Sequence, residues 1–211
     1  MLPNYLAIEG NIGAGKTTLA RMLAEDYNRS LILESFADNP FLPKFYEDPE
    51  RYAFPVELFF MTERHKQFTQ EFATANLFTD GRVADYIFPK TLLFARNTLN
   101  EEEFKLFTRI FRGMAGQFPH PDLIVYLHRP VEVLQKNIAR RGRSYELAMT
   151  DDYLTSVEGA YRNYFGSQKD IPVLIADVGA ADFVDERNTY QSLVEAIRTA
   201  PRYGVTHTLI Q

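Results

Sequence analysis

Gly10-Asn11-Ile12-Gly13-Ala14-Gly15-Lys16-Thr17 fits the pattern G-x-x-x-x-G-K-[ST], and it lies between an apolar run, Tyr5 to Glu9, and a segment of helical period, Lys16 to Asn28. A strand that turns through glycines into a helix leaves successive backbone N–H groups facing inward. The helix adds its positive end to that anion nest. Phosphates bind in such a place. The sequence therefore predicts that Gly10, Asn11, Ile12, Gly13, Ala14, Gly15, Lys16, Thr17 and Thr18 cradle ATP, with Lys16 neutralising the β- and γ-phosphates and the Thr17 hydroxyl holding Mg²⁺. The plain alternative is a glycine-rich turn that contains a lysine by chance.

Outward from this loop, short apolar runs alternate with longer helical segments, the pattern of βαβ units around a parallel sheet. Candidate strands are Tyr5 to Glu9, Leu31 to Glu34, Val83 to Asp85, Leu123 to Leu127 and Val173 to Ala176, which predicts an α/β fold with a five-stranded parallel sheet flanked by helices. A long helix is expected from about Glu50 to Ala75, with Pro55 near its start. Another is expected after Asn100, an N-cap with Glu103 as capping-box partner. Pro130 opens a helix that Gly142 closes, and Thr150 caps the next. The polar segment Gly142 to Met149, flanked by arginines, reads as a mobile loop over a site. Residues 1–200 form one expected domain, and residues 201–211, after the helix Glu186 to Ala200, an expected loose tail.

Composition narrows the class. A chain of 211 residues with 45% hydrophobic content is the size of one α/β domain with a sizeable core. Cysteine is absent, so disulfides and thiolate metal sites are excluded, and the four histidines show no ligand spacing. A net charge of −5 argues against nucleic acid as a partner. With no leader pattern and no long apolar run, the expectation is a soluble, cytoplasmic protein without a membrane partner. The base-recognition pattern N-K-x-D of GTPases is missing, as is an apolar strand ending in the Asp-Glu pair of many ATPases. A small-molecule kinase remains.

The chain resembles the deoxyribonucleoside kinase family, particularly its bacterial deoxyguanosine and deoxyadenosine kinases, from the phosphate loop to about Ala200. The likeness rests on Ile8 to Leu19, Asn39-Pro40-Phe41-Leu42, Phe45 to Arg51, Ala84-Asp85-Tyr86 and Arg141-Gly142-Arg143. It implies a P-loop kinase fold with an arginine-bearing lid, a homodimer, and transfer of the γ-phosphoryl group of ATP to a nucleoside 5′-hydroxyl.

Residue by residue, the resemblance implies that Glu34 takes the 5′-hydroxyl proton and that Asp85 lies close to Mg²⁺ and the reacting oxygen. The family's arginine after that aspartate is Tyr86 here, so the cation expected beside the 5′-oxygen is either supplied by another residue or missing. Arg141-Gly142-Arg143 matches the family lid that closes over ATP, with Asn137 where a further arginine is common, and Arg140 gathers beside them as a further ATP-binding candidate. Tyr46 and Asp152 match a pair that grips the sugar 3′-hydroxyl, and Phe94 an aromatic that stacks on the base. Each has an ordinary structural reading as well: a solvated strand end for Glu34, helix caps for Asp85 and Asp152, helix-dipole partners for the arginines, and core for Tyr46.

Glu57 and Arg64, seven residues apart, fall nearly on one helix face, about 10.5 Å apart along the axis. They match family positions near the base, where many members have a glutamine in place of Glu57. A carboxylate only accepts, whereas guanine offers two adjacent donors, N1–H and the 2-amino group. With Arg64 donating to O6 and N7, the pair favours guanine over adenine. A surface Glu and Arg on an amphipathic helix would look the same. Rival functions are a deoxyadenosine or broad-specificity kinase, a nucleoside monophosphate kinase, and a non-catalytic scaffold.

Overall fold

The computed structural model describes residues 1–34, 39–73, 78–116, 118–143, 146–147, 149–167 and 170–210. The far end of the long helix expected at Ala75 and the middle of the Gly142 to Met149 segment lie outside the described residues.

Six strands form one sheet: β1 (Tyr5–Gly10), β2 (Ser30–Ile32), β3 (Arg82–Ala84), β4 (Leu123–His128), β5 (Val173–Asp177) and β6 (Val205–Leu209), in the order β2-β3-β1-β4-β5-β6 with every pair parallel. The expected count of five is corrected to six. Residues 205–209, expected to trail as a tail, pair with β5 from Val173↔Val205 to Asp177↔Leu209. The side chains of β6 alternate between exposed and half-buried, as befits an edge strand with one covered face.

β1 is central and buried along its whole length, so both of its faces must be covered by helices. Its side chains alternate. Leu6 and Ile8 enter the core formed with α1 (Lys16–Asp26), α6 (Val131–Arg141) and α8 (Arg187–Thr199). Tyr5 and Ala7 face α3 (Pro49–Ala73), α4 (Lys90–Thr98), α5 (Glu101–Ala115) and α7 (Asp151–Ser167) on the other side. By the period of two, Glu9 also points to this second side. A short helix, α2 (Leu42–Glu47), packs on α3.

The local signals hold where the sequence placed them. Asn100 accepts from the Glu102 and Glu103 amides while the Glu103 carboxylate accepts from the Asn100 amide, a complete capping box. Gly142 closes α6 in the left-handed region at φ 70°. The Thr150 hydroxyl accepts from the Tyr153 amide at the start of α7. Chain order reverses beside β1, whose neighbours are β3 and β4, so the carboxyl edge there is where an open α/β sheet gathers ligands.

Candidate active site

The glycine loop joins β1 to α1 in the conformation its sequence demands. Gly13 and Gly15 have φ of 83° and 96°, in the left-handed region. At Gly13 a Cβ would also stand 2.8 Å from the Leu134 carbonyl oxygen, so only glycine lets the loop lie this close to α6. Three side chains brace it. Asn11 donates to the Leu154 carbonyl at 2.7 Å, Asn137 donates to the Gly13 carbonyl at 2.9 Å, and Arg129 donates to the Ala14 carbonyl at 3.1 Å. Asn137 thus tethers the loop, while its exposed neighbour Lys136 does not line either site cavity.

Lys16 donates to the Gly10 and Asn11 carbonyls, both at 2.9 Å. Burial lowers its pKa to about 8, with the like charge of Lys90 adding to the effect and Glu9, Glu34 and Asp85 opposing it. Thr17 donates to Asp85 Oδ2 at 2.5 Å, and Asp85 Oδ1 accepts from the Glu34 amide at 2.7 Å. Asp85 therefore links the phosphate loop to the ends of β2 and β3. The two neighbouring hard oxygens of Thr17 and Asp85 suit Mg²⁺, which takes a few protein oxygens and keeps the rest for water and phosphate.

Glu34 follows β2 by two residues and is buried between two cations. Its Oε1 accepts from Arg64 Nε at 2.8 Å and Nη2 at 2.5 Å, and its Oε2 accepts from Lys90 Nζ at 2.6 Å. Burial alone would raise the carboxyl; the charges and hydrogen bonds of Lys90 and Arg64 overcome it and hold the pKa at about 2. Glu34 is a carboxylate at any physiological pH.

Arg64 departs from the expected base contact. Its third donor, Nη1, reaches Thr91 Oγ1 at 2.9 Å, and its guanidinium lies over the Phe60 ring. With all three nitrogens engaged, Arg64 holds Glu34 in place. Tyr86 is core, donating to Gln67 Oε1 at 2.6 Å. A buried cation does stand four residues further on: Lys90, the first residue of α4, donates to Glu34. The lone basic residue in Ile87-Phe88-Pro89-Lys90-Thr91-Leu92-Leu93-Phe94 was its signal.

Two cavities meet at these groups. One, about 540 Å³, is lined by Gly13, Gly15, Thr18, Asn137 and Arg140. The other, about 120 Å³, is lined by Tyr46, Val56, Glu57, Phe60, Phe94 and Tyr153 among others. Lys16, Thr17, Glu34, Asp85, Arg141 and Arg143 line both. The inner chamber, with Glu146 among its lining residues, is smaller than small-molecule sites usually are. Glu146 is buried, accepts from Arg143 at 3.2 Å, and pairs with Arg141.

Asp152 is exposed on the first turn of α7, just past the Thr150 cap, and lines neither cavity. Glu146, three residues after Arg143, lines the chamber together with Tyr46, Glu34, Glu57 and Asp85. Arg140 is exposed and 3.9 Å from Asp182.

Glu57 is buried on α3, where its Oε1 accepts from the Thr98 hydroxyl at 3.0 Å. Its Oε2 is buried with no hydrogen-bond partner among the described residues. Burial raises its pKa to about 7 against the opposing charge of Arg64. Glu9 is completely buried beneath the loop, accepting from the Ile87 amide at 2.8 Å and the Tyr161 hydroxyl at 2.7 Å. It ties β1, the β3–α4 turn and α7 together.

A phosphate loop at the carboxyl edge of a parallel sheet, with an arginine-bearing segment over it, defines a P-loop phosphotransferase. The family model for deoxynucleoside kinase matches residues 6–200, and the chain belongs to that family. It is similar to the deoxyguanosine kinase of Bacillus subtilis (strain 168), 31% identical over 200 residues covering 92% of this chain and 96% of the relative. It is also similar to the deoxyadenosine/deoxycytidine kinase of the same organism, 30% identical over 201 residues covering 92% and 91%. Among solved structures, deoxyadenosine kinase from M. mycoides with bound dATP superposes with a TM-score of 0.77 at 20% identity, over 92% of this chain and 99% of that one. The protein is a deoxynucleoside kinase, a phosphotransferase.

Proposed function

We propose that the protein transfers the γ-phosphoryl group of ATP to the 5′-hydroxyl of a purine deoxyribonucleoside, deoxyguanosine favoured, giving the 5′-monophosphate and ADP. The observation that carries this reading is the junction of the two cavities, where Lys16, Thr17, Glu34, Asp85, Arg141 and Arg143 stand between a phosphate channel and an aromatic-lined chamber.

In this reading the loop amides and Lys16 hold the triphosphate, and Thr17 and Asp85 hold Mg²⁺, whose charge offsets that of the phosphates. Glu34 accepts the 5′-hydroxyl proton. A carboxylate with so low a pKa suffices, because the proton need only leave as the bond to phosphorus forms and most acceleration comes from alignment and charge neutralisation. Lys90, bonded to the same carboxylate, supplies the positive charge at the 5′-oxygen. Arg141 and Arg143 exchange Glu146 for phosphate oxygens when ATP binds, and Arg140 guards the channel mouth. Tyr46 and the released Glu146 grip the sugar, and Phe94 stacks on the base.

Glu57, with one oxygen unpartnered, accepts from the two adjacent donors of guanine. The family resemblance adds a homodimer and a place in cytoplasmic nucleotide salvage. A nucleoside monophosphate kinase would need a free cationic clamp for the acceptor phosphate, whereas Arg64 and Lys90 are both bonded to Glu34. The test is a steady-state comparison of the four natural deoxynucleosides and deoxyguanosine monophosphate with ATP and Mg²⁺. Deoxyguanosine should lead and the monophosphate should not react; turnover of the monophosphate in preference would refute the reading.

A further inference from the structure

We propose that Glu57 reads two classes of base through two protonation states: as a carboxylate it accepts from both donors of guanine, and as a carboxylic acid it donates to a ring nitrogen while accepting from the amino group beside it. The second pattern is the one that adenine, with N1 beside N6–H₂, and cytosine, with N3 beside N4–H₂, have in common. The inference rests on the chamber being the nucleoside site, as proposed above.

The geometry supports both states. Oε1 lies 3.0 Å from the Thr98 hydroxyl, which also faces the Phe94 carbonyl at 3.0 Å, and keeps a free lone pair for an incoming N–H. Oε2, buried and without a partner, is the atom that would carry or lack the proton. An acceptor left bare in the interior is costly unless a ligand donor or a proton satisfies it. The surroundings hold the two forms near balance: burial favours the acid, Arg64 and Lys90 favour the carboxylate, and Glu34 again favours the acid. The result is a pKa of about 7. The other ionisable groups facing the chamber are Lys16, Asp85, Tyr46 and Tyr153, together with Arg141, Arg143 and Glu146 of the lid. They serve every nucleoside alike.

That last point makes the test clean. If guanine requires the carboxylate and adenine the acid, the ratio of their kcat/KM values follows the ratio of the two forms, which changes about tenfold per pH unit. Titrations common to both substrates cancel. Deoxyguanosine and deoxyadenosine are therefore placed in competition at fixed ATP from about pH 6 to about pH 8, where neither base ionises, and the product ratio is measured.

The wild-type ratio should rise close to tenfold per pH unit in favour of deoxyguanosine, with deoxycytidine tracking deoxyadenosine. In the Glu57→Gln protein, whose amide donates and accepts at every pH, the ratio should be flat and shifted toward deoxyadenosine. Calorimetry gives a readout apart from turnover: deoxyadenosine binding should take up a proton above pH 7 and deoxyguanosine binding should release one below it. A wild-type ratio that does not change with pH overturns the two-state reading while leaving nucleoside phosphorylation intact. A slope that persists in Glu57→Gln assigns it to another group and overturns it equally. Failure to phosphorylate any deoxynucleoside removes the function and the inference together.

Discussion

Replacing Lys90 with methionine keeps the apolar stem and removes one charge 2.6 Å from Glu34 Oε2. Loss of one partner from a buried ion pair ordinarily costs about 3–5 kcal/mol. Here Arg64 remains bonded to Glu34 through two nitrogens, so the cost should fall to the size of one charge-assisted hydrogen bond, about 2 kcal/mol. In a chain of this length that lowers Tm by roughly 4–8 °C.

Glu34 has a folded-state pKa depressed from 4.5 to about 2, so its ion pairs contribute stability fully above pH 4.5 and lose it as the pH falls toward 2. Without Lys90 the depression shrinks. Urea unfolding should therefore show the gap between wild type and variant largest at neutral pH and beginning to close below pH 4.5. In kinetics, loss of a fixed cation from the reacting oxygen should lower kcat by about 10²–10³ while KM for the nucleoside stays within a few-fold, because Lys90 faces neither base nor 3′-hydroxyl in the proposed complex. A kcat within about threefold of wild type would refute the placement of Lys90 at the 5′-oxygen.

Gly13→Ala forces a Cβ into a left-handed position 2.8 Å from the Leu134 carbonyl, so the loop must shift. Steady-state assays should show kcat/KM for ATP reduced about 10²-fold or more, with the fold retained by circular dichroism. Asn100→Ala removes the capping box of α5, a helix that lines neither cavity. Denaturant titration should register a loss of about 1 kcal/mol with turnover unchanged.

The parts of this molecule written in local sequence were readable and the parts written in tertiary contact were not. The glycine loop, the capping box at Asn100 and Glu103 and the Gly142 stop depend on residues a few positions apart, and all stand where their chemistry put them. β6 shows the limit: Val205-Thr206-His207-Thr208-Leu209 alternates like a strand, but only its pairing with β5 distinguishes an edge strand from an extended tail.

The seven-residue spacing correctly set Glu57 and Arg64 on one side of α3. It could not say that Arg64 would be taken up by Glu34 from another element. The same blindness hid Lys90, whose burial makes sense only beside Glu34.

Everything above turns on Glu34 facing the nucleoside 5′-hydroxyl. The direct measurement is single-turnover transfer of labelled γ-phosphate from ATP to deoxyguanosine by Glu34→Gln, with nucleoside binding followed in parallel. Transfer should fall by about 10²–10⁴ while deoxyguanosine still binds within a few-fold of wild type. Transfer at close to the wild-type rate in that protein would contradict the account.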